Sequence, residues 1–451
     1  MKPNPRTPQP AFLHSALAAA LLAIGTASAQ QAPARNDLLG IYRAALANDP
    51  VYASARFARE AAQERVPQAR SGLLPNISAA VGGTHNSRST AGVSTDFNSY
   101  GPSLRLDMPL YRAQNWTALD QAKLQVVSAD AQLAQAQQDL VLRVAQAYFD
   151  VLAAQDDLTA IEASKKAVAE QLAQARREFE VGTKTIVDTH EAQARFDQIV
   201  AQEQVARGNL VVRQSALQAI IGRDPGTLVP LRDAPQLSPP QPANVEAWAK
   251  QAEDNSFSVA VARANAEIAR LNTRSARQGH YPTLDLTASA SSGRTNQPLA
   301  GSSSDYYSTR SASIGVQLTV PIYSGGLTQS RVREALSNEE RFAQDLESAR
   351  RAAAQGARQS YTGTDFGLAQ VRALESAEVS AKSQLDSTRL GYQVGVRINL
   401  DVLNATTQLF ATQRDLKKAR YDFLVNGLRL QSAVGGLDEQ DLQAVNAQLA
   451  R

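Results

Sequence analysis

The chain carries few side chains able to do covalent or metal chemistry, and they are scattered. Its four histidines, His14, His85, His190 and His280, are never grouped with carboxylates at the spacing a metal site needs. His190-Glu191 opens like the His-Glu-x-x-His helix of zinc proteases, yet Ala194 stands where the second histidine belongs. No glycine-rich loop precedes a Lys-Ser/Thr pair and there is no nucleophile elbow. The complete lack of cysteine removes disulfides, thiolate-bound zinc, iron–sulfur clusters and a lipid-attachment site. The expectation is a protein with no catalytic residue, no metal and no cofactor, and so not an enzyme.

The polar groups worth following sit instead at two matched turns. One runs Phe179-Glu180-Val181-Gly182-Thr183-Lys184-Thr185-Ile186-Val187-Asp188, the other Tyr392-Gln393-Val394-Gly395-Val396-Arg397-Ile398-Asn399-Leu400-Asp401. Each places a glycine at the reversal and a carboxylate a short way into the next helix. Gly182 and Gly395 suit any helix that ends in a left-handed residue. Arg397 and Asp401, four apart, would form a surface pair worth about 0.3 to 0.5 kcal/mol. On residue types alone, ordinary helix endings and a functional site both remain open.

These turns belong to a duplicated unit. Tyr148 matches Tyr361, Gly182 matches Gly395, Asp188 matches Asp401 and Gly222 matches Gly435, all 213 apart (361 − 148). A fixed offset maintained over so long a stretch marks an internal repeat. The boundaries read as an export signal over 1–29, a first repeat over 30–223, a Pro-rich linker over 224–243, a second repeat over 244–436 and a C-terminal tail over 437–451.

Each repeat combines short alternating strands with a very long helix. From Ala113 to Glu180 there is neither proline nor glycine, and Leu119, Val126, Leu133, Leu140, Ala147, Ala154, Ile161, Val168 and Ala175 recur every seven residues. Such a seam predicts a helix on the order of 100 Å long, supercoiled left-handed against neighbours. A second seam, Val144, Val151, Leu158, Leu172 and Phe179, is interrupted by Lys165. A second long helix should span about 326–393, although Gly356, Gly363 and Gly367 weaken it. The shorter helix 186–221, extended end to end by one running from Asp49 to about Ser71, nearly matches the first long helix, which predicts two antiparallel stacks per repeat. The linker, with Pro225, Pro230, Pro235, Pro239, Pro240 and Pro242, reads as an ordered strap.

Period-two alternation marks the strands: Ile77, Ala79, Val81; Leu104, Leu106, Met108, Leu110; Leu284, Leu286, Ala288, Ala290; and Ile314, Val316, Leu318, Val320, Ile322. Polar loops are expected over 82–98 and 293–308, with Tyr100, Tyr111, Tyr306, Tyr307 and Tyr323 at strand ends. Strands of about ten residues, apolar on one face, fit a membrane barrel. Four strands cannot close one, so several chains would have to share it.

Compartment and charge agree. Lys2 and Arg6 precede an apolar stretch over 11–24, and Ala27-Ser28-Ala29 resembles a cleavage site, the layout of a removable export signal. Beyond it no apolar run is long enough for a spanning helix. A net charge of +3, with no basic cluster interleaved with aromatics, argues against nucleic acid.

Taken together, the two copies, the Met108-Pro109-Leu110-Tyr111 and Val320-Pro321-Ile322-Tyr323 segments and the two Val-Gly turns resemble the TolC family of outer-membrane efflux and secretion ducts. The stretch from Gly391 to Leu403 is the most specific part, and the likeness covers essentially the whole mature chain. The resemblance implies a mixed, mostly α fold: a homotrimer whose coiled-coil α-helical barrel extends into the periplasm and whose chains each give four strands to one shared outer-membrane β-barrel. It also implies contact with outer-membrane lipid, a periplasmic adaptor and an inner-membrane RND or ABC transporter as partners, and no nucleic acid. Asp188, Tyr392 and Arg397 then match polar links that close the periplasmic gate, Asp401 matches a ring of carboxylates, and Gly182 and Gly395 form the tips. Asn404 departs from the pattern where TolC has a second carboxylate, which leaves three ring charges rather than six and weakens the case for block by divalent cations. A non-conducting periplasmic coiled-coil adaptor or structural protein would share the helices, but would have no use for lipid-facing strands.

Overall fold

The computed structural model describes residues 36–90, 93–183, 185–297 and 306–450; the expected export signal over 1–29 lies outside them. In chain order the elements are α1 (Leu38–Asn48), α2 (Pro50–Gln63), α3 (Arg65–Ser71), β1 (Asn76–Thr90), β2 (Val93–Tyr111), α4 (Ala113–Glu180), α5 (Ile186–Ile221), α6 (Val245–Asn255), α7 (Phe257–Arg277), β3 (Thr283–Thr295), β4 (Tyr307–Thr319), α8 (Leu327–Gln393), α9 (Asn399–Ala433) and α10 (Glu439–Asn446). The fold is mostly helical, with one four-stranded antiparallel sheet.

The long helix α4 forms where the unbroken heptads predict, and α8 fills the expected 326–393 in spite of Gly356, Gly363 and Gly367. Alongside α4 lie α5 on one half and α1, α2 and α3 on the other; α8 is flanked by α9, α6 and α7. Helices α7 and α9 each touch both α4 and α8, which ties the two repeats together. The expected single helix from Asp49 to Ser71 is in fact two, joined at Glu64. Pro67 is the physical reason: it has no N–H to offer the carbonyl of Gln63, four residues earlier. Gly363 and Gly367 face Asn426 and Phe423 of α9 at ordinary contact distance, so no tight helix approach demands them. Lys165, which breaks the second seam, reaches the buried Glu203 of α5 at 2.5 Å, where Arg207 also binds.

The deepest packing lies midway along α4. Leu140, Val144, Tyr148, Phe149, Leu217 and Leu428 are fully or almost fully buried there, and Phe149 stacks on Tyr421 with ring centres 5.4 Å apart. Residues 224–243 run across this core as a strap. Tyr148 donates its hydroxyl to the Val229 carbonyl at 2.7 Å, and the Ala450 N–H donates to the Pro230 carbonyl at 2.8 Å. The segment read as a tail is folded too: α10 and Leu449 bury Leu442 and Leu449 against the same core.

In the sheet, order β1-β2-β3-β4, registration places like with like. Ile77, Leu106, Ala288 and Ile314 form one apolar row across all four strands, and Ala79, Leu104, Ala290 and Ala312 form the next. Between them Ser78, Arg105, Ser289 and Ser313 face the other way. Strands β1 and β2, 15 and 19 residues long, run through most of the expected polar loop over 82–98. A backbone ladder forms without apolar side chains, so polarity there does not mark a loop. The expected second loop, 293–308, likewise loses Gly293–Thr295 and Tyr307–Ser308 to strands, and residues 298–305 lie outside the described ones. Strand β4 stops at Thr319, short of the expected Val320 and Ile322, because Thr319 pairs with Thr283, the first residue of β3, and Pro282 before it has no N–H to extend the ladder. Gly101 has no room for a side chain: a Cβ there would meet the Ser292 carbonyl oxygen at 2.2 Å.

Asp49 joins two helices. Its N–H closes α1 on the Ala45 carbonyl, its carboxylate accepts the Tyr52 N–H at 2.7 Å to start α2, and Arg143 of α4 grips the same carboxylate at 2.9 and 3.0 Å. Burial alone would raise this carboxyl, but the hydrogen bonds from Arg143 and the Tyr52 N–H outweigh it and hold the group below the usual aspartate range. Asp49→Ala should lower stability by about 1 to 3 kcal/mol, read as a lower thermal midpoint, through a lost cap and a broken ion pair. Because the folded value is depressed, the stabilisation is complete above the unfolded value of about 3.9 and is lost as pH falls through the lower folded value. Wild type and Asp49→Asn should therefore converge in midpoint on acidification below that range.

Candidate functional site at the helix turns

The first turn closes with short-range hydrogen bonds. Gly182 adopts φ 73°, the left-handed conformation that ends α4. The N–H and hydroxyl of Thr183 both donate to the Glu178 carbonyl at 2.9 Å. Thr185 then begins α5, and the Asp188 carboxylate accepts from its N–H at 3.2 Å and its hydroxyl at 2.9 Å. In the second turn Gly395 has φ 82°, and the N–H groups of Val396 and Arg397 both donate to the Gly391 carbonyl. The Asp401 carboxylate accepts the Ile398 N–H at 3.5 Å and meets the Arg397 guanidinium at 3.6 Å. Asp188 and Asp401 therefore occupy equivalent first-turn positions, where a negative charge also favours the helix dipole.

The two turns lie together. The Tyr392 hydroxyl of α8 donates to the Glu178 carboxylate of α4. Tyr392 is only 7% exposed. Burial, the bond to Glu178 and the nearby charges of Glu178 and Asp188 push its hydroxyl well above the ordinary tyrosine value, so it remains a proton donor. The Gln171 amide donates to the Asn399 side-chain oxygen at 2.5 Å, and Arg195 donates to the Thr407 hydroxyl at 2.9 Å. Leu403 of α9 packs with Val168, Leu172, Ala175, Ala192 and Ile199 of the first hairpin.

Of the residues singled out from the sequence, Arg397 and Asp401 are thus brought into contact with each other. Tyr392 meets Glu178, with the Asp188 charge nearby, and Asp188 caps its own helix. Asn404 is exposed on α9 just beyond Asp401. Sequence reasoning missed Glu178, Gln171 and Asn399. A signal for Glu178 was present in the repeat: at the shared offset Glu178 stands against Gly391 and Phe179 against Tyr392. The two copies thus differ at the positions where Glu178 of one meets Tyr392 of the other.

Gly391 has a further part in this geometry. A Cβ on it would lie 2.8 Å from Cγ of Arg397, so the arginine stem rests directly on the bare glycine. Among the described residues no group of three or more His, Cys, Asp or Glu could hold a metal ion, and no helix is long and apolar enough to cross a membrane.

This chain is similar to several known proteins over nearly all its length. The outer membrane protein TolC of Vibrio cholerae is 37% identical over 428 residues, covering 95% of this chain and 96% of the relative. The alkaline protease secretion protein AprF of Pseudomonas aeruginosa is 33% identical, covering 91% and 86%. Among solved structures, the outer membrane protein VceC of Vibrio cholerae superposes with a TM-score of 0.73 at 19% identity, covering 88% of this chain and 96% of that one. The family described as outer membrane efflux protein matches residues 41–223 and 248–436, one block for each repeat. The chain belongs to the outer membrane efflux protein family, that of the TolC channels.

Proposed function

We propose that three copies of this outer-membrane protein assemble into one passive exit duct for a tripartite efflux pump or a type I secretion system. The observation that carries this reading is the sheet: one face is apolar in aligned rows, the other polar, and both β1 and β4 present open edges. Three such sheets joined edge to edge make a twelve-stranded barrel with a lipid-facing outside and a polar lumen. The helices of three chains continue it as a tunnel into the periplasm. A periplasmic adaptor grips the tunnel, and an inner-membrane RND or ABC transporter supplies energy and selects cargo. The likeness to both TolC and a protease secretion protein supports either cargo class.

The helix turns form the periplasmic entrance of this duct. Arg397 and Asp188 contribute links at the turns, Tyr392 ties the second hairpin to the first through Glu178, and Asp401 adds one carboxylate per copy to a ring of three. Each exposed pair contributes about 0 to 1 kcal/mol. Three copies acting together supply a few kcal/mol, enough to hold most entrances shut and within reach of a partner that binds the open state better.

Single-channel recording in planar bilayers tests this directly. Arg397→Ala with Asp188→Asn should conduct several-fold better than wild type; asparagine keeps an acceptor for the Thr185 N–H, so the helix cap survives. Equal conductance would remove these residues from the gate, and no channel events from folded trimers would favour a non-conducting spacer. Gly391→Ala tests how Arg397 is held. It should raise conductance in the wild-type background but add nothing to Arg397→Ala, because its effect runs through displacement of that arginine. An equal increase in both backgrounds would contradict this coupling.

A further inference from the structure

The lipid-facing side of the sheet ends in two arginines. All four strands join their helices at the same end of the sheet: β1 and β3 begin there, β2 and β4 finish there. Arg294 on β3 and Arg310 on β4 lie toward the opposite end. Arg294 follows Leu284, Leu286, Ala288 and Ala290 on the apolar face, and Arg310 precedes Ala312, Ile314, Val316 and Leu318 on that face. From Leu284 to Arg294, a rise of roughly 3.3 Å per residue and a tilt of roughly 40° give about 25 Å, the height of the apolar band of an outer-membrane barrel.

The two side chains are neighbours. Arg294 pairs with Ser308, so Arg310, two residues on, is its diagonal partner across the strands. Both are exposed, and among the described residues neither guanidinium meets a carboxylate. Tyr100, opposite Arg294, packs against Tyr306 with ring centres 5.7 Å apart, which puts an aromatic pair at the level expected of an interfacial girdle. Two like charges side by side at the edge of lipid repel each other unless an anion is shared between them.

We propose that Arg294 and Arg310 form a site for the phosphate of an outer-leaflet lipid, whose acyl chains lie over the row Ala79, Leu104, Ala290 and Ala312 just below. Two guanidinium forks can take the several acceptor oxygens of one phosphate monoester, and the small alanines beside Leu104 leave a shallow bed for a chain. The inference rests on the barrel reading, since it needs these strands to cross the outer membrane with their helices on the periplasmic side.

The test is binding of diphosphorylated lipid A to purified assemblies by native mass spectrometry, against the same lipid after phosphatase treatment. Wild type should bind the phosphorylated lipid at least about tenfold more tightly than Arg294→Gln with Arg310→Gln, and the dephosphorylated lipid should not distinguish them. Arg294→Lys with Arg310→Lys, which keeps the charge but loses the forks, should fall between and guards against a folding defect in the first variant. Equal binding by wild type and the Gln variant would overturn the site. So would full displacement of the lipid by inorganic phosphate alone, which would mark a general anion site. Channel recordings on the same samples separate the two readings: conductance with no phosphate-dependent binding defeats only the lipid site, whereas no conductance from any sample defeats the duct.

Discussion

The constraint on which the rest of this structure depends is the unfinished sheet. Within hydrocarbon every backbone N–H and C=O needs a partner, and one chain leaves the outer edges of β1 and β4 unpaired. The apolar rows prevent the sheet from resting comfortably in water, and the open edges prevent it from resting alone in lipid. Both are resolved when copies of the chain pair edge to edge. In the proposed assembly the helices, which leave the sheet at one end, continue as a ring.

Such a ring fits the kind of helix the chain encodes. A helix some 100 Å long needs packing along its whole length, and α4 is covered in segments by α1, α2, α3, α5, α7 and α9. Polar and charged groups set the register between these segments: Arg143 with Asp49, Lys165 and Arg207 with Glu203, Tyr392 with Glu178. The central core around Tyr148 and Phe149, strapped by residues 224–243, is the well-packed section. Toward the turns the apolar clusters are smaller, and single hydrogen bonds and exposed pairs join them in holding the two hairpins together.

Much of this was readable from residue patterns. The ends of α4 and α8 follow from helix runs stopped by Gly182 and Gly395, and the strand faces follow from alternation through Leu104 to Leu110 and Ile314 to Leu318. What could not be read is which polar side chain meets which. Periodicity says what face a helix buries, not what lies opposite it. Thus Lys165 interrupts an apolar seam without announcing Glu203 beside it, and Tyr392 gives no sign of Glu178, 214 residues away. The polar reaches of β1 and β2 have the composition of a loop, because side-chain hydropathy is silent about a ladder made by the backbone.

The most direct test of the central claim, that copies of this chain complete one another's sheet, is the mass of the assembly extracted from the outer membrane, measured by native mass spectrometry. Three chains per particle, twelve strands in all, is the result expected. A dimer would contradict the duct built on that pairing, since a barrel of about eight strands fills its interior with side chains and leaves no passage. A stable monomer would contradict it more deeply, because four strands with two open edges would then have to persist in lipid unpaired.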